Sequence, residues 1–154
     1  MKKLVPNVQE IKYLDKEKYG VLDLGSCQTT DYTCFFDERL ETLSEILVDT
    51  YPSTKRNGLI TFKNQKLKEE EYILEIKKKR IVIKASTVNG CYYALITLKH
   101  LAQIYNGLIP ALIIHDYPDM KVRGMMLDIS RSKVPSVKTI FEYIDLLSDF
   151  KYNH

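Results

Sequence analysis

The order of apolar and polar segments between Arg123 and His154 constrains this chain more than any other feature. Arg123 to Ile129 is apolar almost without interruption and reads as a buried strand. A polar break follows at Ser130–Ser136, where Pro135-Ser136 opens a helix. Val137, Ile140, Phe141, Ile144 and Leu147 then recur at helical spacing, and Phe150 to Asn153 reads as the approach to a second strand. Two parallel strands cannot be joined by a tight turn, so strand, loop, amphipathic helix and strand is the unit from which parallel barrels are repeated. The expectation is a single opening unit of something larger.

The preceding residues read differently. Tyr19 to Leu24 alternates as a strand ended by Gly25-Ser26, and the polar Thr29-Thr30-Asp31 follows. A helix is expected from about Phe36 to Asp49, with Phe36, Leu40, Leu43, Ile46 and Leu47 on its apolar face and Pro52-Ser53 beyond its end. Gly58–Phe62 is a short strand. Segments 71–76 and 80–85 alternate as a hairpin, with Tyr72, Leu74 and Ile76 facing the same way as Ile81 and Ile83. The longest helix is expected over Thr87–Asn106, with Ala94, Leu95, Leu98, Leu101, Ala102 and Tyr105 buried and Gly107 at the capping position. Leu108–His115 is a further strand broken by Pro110. Each helix has a single apolar stripe, so both should cover one face of a small sheet, giving an α+β chain.

A chain of 154 residues, 45% hydrophobic, can bury a real core. Its net charge of +3 is too small to predict a nucleic-acid or membrane partner. Lys77-Lys78-Lys79 reads as a solvated hairpin tip rather than a contact for an anionic polymer. Met1-Lys2-Lys3 begins like a leader, but no apolar run follows, so the expectation is a cytoplasmic protein or one whose leader has been removed. Cys27, Cys34 and Cys91 match no zinc spacing and cluster with none of His100, His115 or His154; buried thiols are expected, with a Cys27–Cys34 disulfide as the alternative in a secreted protein. Neither a metal nor another cofactor is expected.

Asp116, Pro118, Arg123-Gly124, Asp128, Ser130-Arg131, Pro135, Lys151 and Asn153 together resemble the start of the catalytic barrel in glycoside hydrolase family 20, the β-N-acetylhexosaminidases. Two departures stand out: Asp119-Met120 replaces an Arg-aromatic pair, and Ser132-Lys133 replaces a His-aromatic pair beside the sugar. Upstream, Glu70-Glu71-Tyr72, Ala85, Asn89-Gly90-Cys91-Tyr92-Tyr93-Ala94 and Thr97-Leu98 are similar to the small α/β domain that precedes that barrel. The resemblance covers about residues 58 to 154. It implies a non-catalytic domain over 1–117, then the first strand and helix of a (β/α)8 barrel over 118–154.

Strand alternation puts Met125, Leu127 and Ile129 on one face and Gly124, Met126 and Asp128 on the other; a charged Asp128 is disfavoured against an apolar helix layer and should point to the barrel interior. Arg131 follows the strand end, where barrels keep their sites, and its planar fork of donors suits neighbouring sugar hydroxyls. A structural Asp128–Arg131 pair is the alternative. The resemblance implies that Arg131, with Asp128, contacts the terminal sugar. It implies removal of terminal N-acetylhexosamine with retention, the substrate's acetamido oxygen serving as nucleophile. The adjacent Asp-Glu pair that such chemistry uses is expected later in the barrel. Asp37-Glu38 is no substitute, since at a helix start acidic side chains favour the helix dipole. The chain alone is therefore expected to be inactive, its glycan partner engaged through a longer parent enzyme. The other reading is a free-standing carbohydrate- or protein-binding module. An orphaned barrel unit is also expected to self-associate through residues 118–154, as a symmetric dimer.

Overall fold

In a computed structural model of the chain, residue 4 and residues 6–31, 37–51, 53, 57–131 and 134–154 are described, with the backbone alone at 29–31. The chain divides into two units, Met1–Pro118 and Asp119–His154.

In the first unit β1 (Glu10–Tyr13) is followed by the single turn α1 (Lys16–Tyr19), by β2 (Val21–Asp23), by a 3-10 turn at Leu24–Ser26 and by β3 (Cys27–Asp31). Then come α2 (Glu38–Asp49), β4 (Gly58–Asn64), β5 (Tyr72–Lys77), β6 (Arg80–Ala85), α3 (Val88–Tyr105), β7 (Leu108–Pro110) and β8 (Leu112–Asp116). Six strands form a mixed sheet in the order β1-β8-β5-β6-β4-β3, and β2 pairs separately with β7. The hairpin register sets Leu74 opposite Ile83 and Ile76 opposite Ile81, which puts every buried side chain of β5 on one face. These residues share a single core with Leu40, Leu47 and Val48 of α2 and with Ala94, Leu95, Leu98, Leu101 and Ala102 of α3. Both helices therefore cover the same sheet face, as their single stripes require.

The helix ends follow local chemistry. Asp37 caps α2 by accepting from Arg39 N–H at 2.9 Å, and Thr87 caps α3 by accepting from Gly90 N–H at 3.2 Å. At the other end of α3, Asn106 is left-handed with φ of 51°, and Gly107 follows at φ of 78°. Asp37-Glu38 is thus a helix start.

One strand is unexpected, and two expectations for this unit need correction. The polar Thr29–Asp31 ends β3, which runs parallel to β4, and a polar edge strand carries too little apolar alternation to announce itself. The strand expected over Tyr19–Leu24 shrinks to Val21–Asp23, because Asp15 accepts from the N–H groups of Glu17 and Lys18 and winds a helical turn ahead of it. The segment Leu108–His115 is two strands, not one. The first pairs with β2 and the second with β1 and β5; the break falls at Ala111 after Pro110, whose missing N–H ends a ladder. The α2 boundary at Phe36, Pro52 and the Cys27–Cys34 alternative rest partly on residues outside those described. Cys27 and Cys91 are buried, and the Cys27 thiol donates to Asp23 O at 3.8 Å. Burial, with the nearby Asp23 charge, pushes its pKa up to about 12, which leaves it an inert thiol.

In the second unit Ser136 caps α4 (Val137–Asp149) by accepting from Thr139 N–H at 3.2 Å. The Phe150–His154 segment returns beside Arg123–Met125. Here a further correction is needed: Met125, Leu127 and Ile129 are each about half exposed and Met126 is 91% exposed, and the run 123–129, expected as a buried strand, is neither buried nor a strand. The backbone of residues 153 and 154 pairs with it at Arg123 and Met125, and one such partner cannot cover both faces of a strand.

Candidate functional site

The candidate site residues lie at the carboxyl end of the 123–129 run, so what fixes that run fixes the site. His154 N–H donates to Arg123 O at 3.2 Å, and Met125 N–H donates to His154 O at 3.1 Å. One residue bonding to those on either side of its opposite number is the parallel pattern, with Gly124 facing His154. A Cβ added at Gly124 would lie 3.0 Å from His154 Cβ and 3.1 Å from His154 O, so the close approach depends on glycine.

Four other contacts hold the same corner. The Asn153 side chain accepts Arg123 N–H at 2.9 Å and donates to Lys121 O at 2.9 Å, acting as one more ladder rung. The Arg123 guanidinium donates through Nε to Lys151 O at 2.8 Å and through Nη1 to Met120 O at 2.7 Å. Lys151 itself is buried and left-handed, with φ of 61°. Arg123, Gly124, Lys151 and Asn153 enter the sequence resemblance only as spaced letters; here they are one clasp joining the segments before and after α4.

Asp128 and Arg131 are both exposed at the far end of the run. Asp128 Oδ1 accepts from Ser130 N–H at 2.8 Å, and hydrogen bonding from Ser130, its side chain foremost, holds the carboxyl below the usual carboxylate range. Among the described residues no ion pair joins Asp128 to Arg131, so the structural-pair alternative finds no support. The arrangement is a carboxylate whose geometry is set by a turn, and a five-donor cation one step beyond it. Ser132-Lys133, the departure beside them, lies outside the described residues.

Another motif residue, Asp116, belongs to the first unit. It ends β8, is buried, and accepts from Tyr72 Oη–H at 2.7 Å and from Gln9 N–H at 3.1 Å, while the Tyr72 hydroxyl also lies 2.5 Å from Thr97 Oγ1. This network ties β8 to β5, α3 and the amino-terminal segment. Asp116 is structural. Among the described residues no group of three or more His, Cys, Asp or Glu side chains is placed to hold a metal ion.

Comparison with known proteins places these features. The family description "Glycosyl hydrolase family 20, domain 2" matches residues 2–117. Over 92 residues the chain is 36% identical to a beta-hexosaminidase of Vibrio furnissii, covering 58% of this chain and 15% of that one. Over 127 residues it is 30% identical to the beta-hexosaminidase subunit beta of Sus scrofa, covering 78% of this chain and 21% of that one. Among solved structures, the family 20 exo-beta-N-acetylglucosaminidase of Vibrio harveyi in complex with N-acetylglucosamine is similar at a TM-score of 0.77 and 28% identity, over 97% of this chain and 24% of that one. The beta-N-acetylhexosaminidase of Bacteroides fragilis is similar at 0.76 and 27%, over 98% and 32%. The chain thus spans well under half the length of the relatives it matches.

Proposed function

The chain belongs to glycosyl hydrolase family 20, and from that premise we propose that it is a segment of a retaining glycosidase that removes terminal N-acetylhexosamine. Residues 1–117 are the non-catalytic domain ahead of the barrel, and 118–154 are the barrel's first strand and helix. The observation that carries this reading is the parallel pairing of Gly124 with His154 across α4, directly after the region matched by the family description. A helix-linked parallel pair is a barrel unit begun.

Within that reading Arg131 and Asp128 are substrate-binding residues. Arg131 donates to hydroxyls of the terminal sugar, and Asp128, kept ionised, accepts from one or orients the arginine. The substrate's acetamido oxygen attacks the anomeric carbon, and the leaving oxygen takes its proton from a carboxylic acid supplied by a later part of the barrel. Asp37-Glu38 is spent on the start of α2 and does not supply that acid in this reading. The expected result is that the 154-residue protein releases no p-nitrophenol from p-nitrophenyl N-acetylglucosaminide above the buffer rate. Turnover by the isolated chain would overturn the assignment.

The same reading leaves α4 with an apolar face unpartnered: Val137, Phe141 and Ile144 are each more than half exposed. Burying such a side chain contributes about 1.5–3 kcal/mol. The chain on its own therefore self-associates through residues 118–154, most simply as a symmetric dimer. Light scattering on the full chain and on one ending at Tyr117 tests this. A monodisperse monomer for the full chain contradicts it.

A further inference from the structure

Within the first unit α2 and α3 cover one face of the six-stranded sheet, and among the described residues the other face sets basic side chains around Ile73, Val82 and Ile113. Register fixes which side chains stand there. Lys77 lies opposite Arg80 and Arg80 opposite Leu59; Lys63 lies opposite Lys84, and Lys12 opposite Ile113. The described acidic side chains among these positions are Glu10 and Glu75, and Glu75 is paired with Lys84 and lies 3.9 Å from Lys77. Lys12, Lys63 and Arg80 are exposed.

The fold enlarges this patch with a segment far away in sequence. Lys78 N–H donates to Tyr19 O at 3.1 Å, bringing α1 against the β5–β6 turn. Lys16 and Lys18 thereby join Lys78 and Lys79 at one end of the sheet, all four exposed. The ammonium groups of Lys18 and Lys77 lie 5.4 and 5.7 Å from the centre of the Tyr19 ring. Of the acidic residues there, Asp15 is occupied in capping α1 and Glu17 stands exposed between Lys16 and Lys18, leaving the four lysines in excess. The helix layer carries the opposite sign: α2 exposes Glu38, Glu45 and Asp49, while its Arg39 is paired with Asp37. A net charge of only +3 therefore conceals a segregated surface.

We propose that the open sheet face and its hairpin end form a docking surface for a linear anionic polysaccharide, one bearing sulfates or carboxylates along its length. Strands about 4.8 Å apart, with same-face residues about 7 Å apart along each strand, set cations in rows that follow an extended polyanion. No described position of the sheet face holds Phe, Tyr or Trp, and at the hairpin end the Tyr19 ring lies beside Lys18 and Lys77; a single such ring gives single-stranded nucleic acid no run of stacking surfaces. Leu59 is the large apolar side chain exposed on it among the described residues, too little to enter a bilayer. This inference rests on charge placement and stands or falls separately from the glycosidase reading.

The test uses the 154-residue chain and fluorescein-labelled heparin as the probe, with dissociation constants measured by anisotropy from about 50 to 200 mM NaCl. Binding that weakens steeply with salt is expected. Lys78→Glu with Lys79→Glu, and separately Lys63→Glu with Arg80→Glu, should each raise Kd at least about tenfold and flatten the salt slope. Lys121→Glu with Lys138→Glu makes the same change in net charge elsewhere and should stay within about threefold. Either patch pair suffices should the other fail to fold. No binding at the lowest salt, or an equal loss in the Lys121/Lys138 variant, overturns the proposal. So does tighter binding to an oligothymidylate or to phosphatidylserine vesicles than to heparin.

Discussion

Asn153 and Arg123 hold each other twice: the Asn153 side chain accepts the backbone N–H of Arg123 at 2.9 Å, and the Asn153 backbone N–H donates to Arg123 O at 2.9 Å. Only the second of these bonds needs no particular side chain. Asn153→Ala therefore removes the bond to Arg123 N–H and the one to Lys121 O together. A loss of about 1–3 kcal/mol of local stability is expected in the second unit. Hydrogen exchange reads it directly: the amides of Arg123 and Met125 should lose protection in Asn153→Ala, while those of Leu74 and Ile83 should not change. Unaltered protection at Met125 would remove Asn153 from the clasp.

The approach of Gly124 to His154 makes a second, independent demand. Gly124→Val would force the chain apart at the point where Met125 N–H reaches His154 O, at a cost of about 1–3 kcal/mol. The same exchange measurement should show His154 and Met125 deprotected. A valine tolerated with no change in those amides would show that the two segments do not pair as described.

How much of this was legible in the sequence depends on which signal each element carries. The hairpin and both long helices could be read because their burial follows a single period, as in Tyr72, Leu74 and Ile76 against Ile81 and Ile83. The strand at Cys27–Asp31 could not, because its polar residues pair through backbone with β4 and leave no apolar alternation. Reading Arg123–Ile129 as buried followed from composition; burial also needs neighbours on both sides, and a sequence window cannot show whether they are present. The candidate residues Asp128 and Arg131 came from motif spacing. The clasp came from geometry alone, since nothing in the letters Arg123 and Asn153 says that one side chain replaces a ladder rung.

The buried hydroxyl of Tyr72 is the hub of the first unit's polar network, between Asp116 and Thr97. Tyr72→Phe keeps the ring and deletes the hub, and should lower stability by about 1–3 kcal/mol, measured by urea unfolding. Burial foremost, and then the Asp116 charge, raise the Tyr72 pKa well above 10.0. A phenol whose pKa is raised by folding contributes stability that is fully present below its unfolded value and is lost as pH rises beyond it. The wild type should therefore lose stability above about pH 10 more steeply than Tyr72→Phe. Parallel alkaline limbs in the two proteins would contradict the assignment.

At the acid end the relevant group is Glu71. It accepts from Lys68 N–H at 2.9 Å and lies 2.7 Å from His115 Nε2, and these contacts, the backbone bond first, lower its pKa below 4.5. A depressed carboxylate stabilises the fold above its unfolded pKa and loses that contribution as pH falls through the folded value. Glu71→Gln should therefore be less stable than the wild type at neutral pH, and the difference should narrow below about pH 4.5. Melting temperatures between pH 7 and pH 3 give the comparison. A gap that is constant across that range would sink this role for Glu71.

The central claim is that the exposed end of the 123–129 run belongs to a sugar site, with Arg131 touching the terminal N-acetylhexosamine. The most direct measurement is kcat/KM on p-nitrophenyl N-acetylglucosaminide for the longer, barrel-bearing protein that this account requires, with and without Arg131→Ala. Loss of one charged hydrogen-bonding group should cost about 2–4 kcal/mol of transition-state binding, a fall of roughly 30- to 1000-fold in kcat/KM. Arg131→Lys, keeping the charge but not the planar fork, should recover only part of it. An Arg131→Ala protein with normal kcat/KM would contradict the account and leave Arg131 a solvated surface cation.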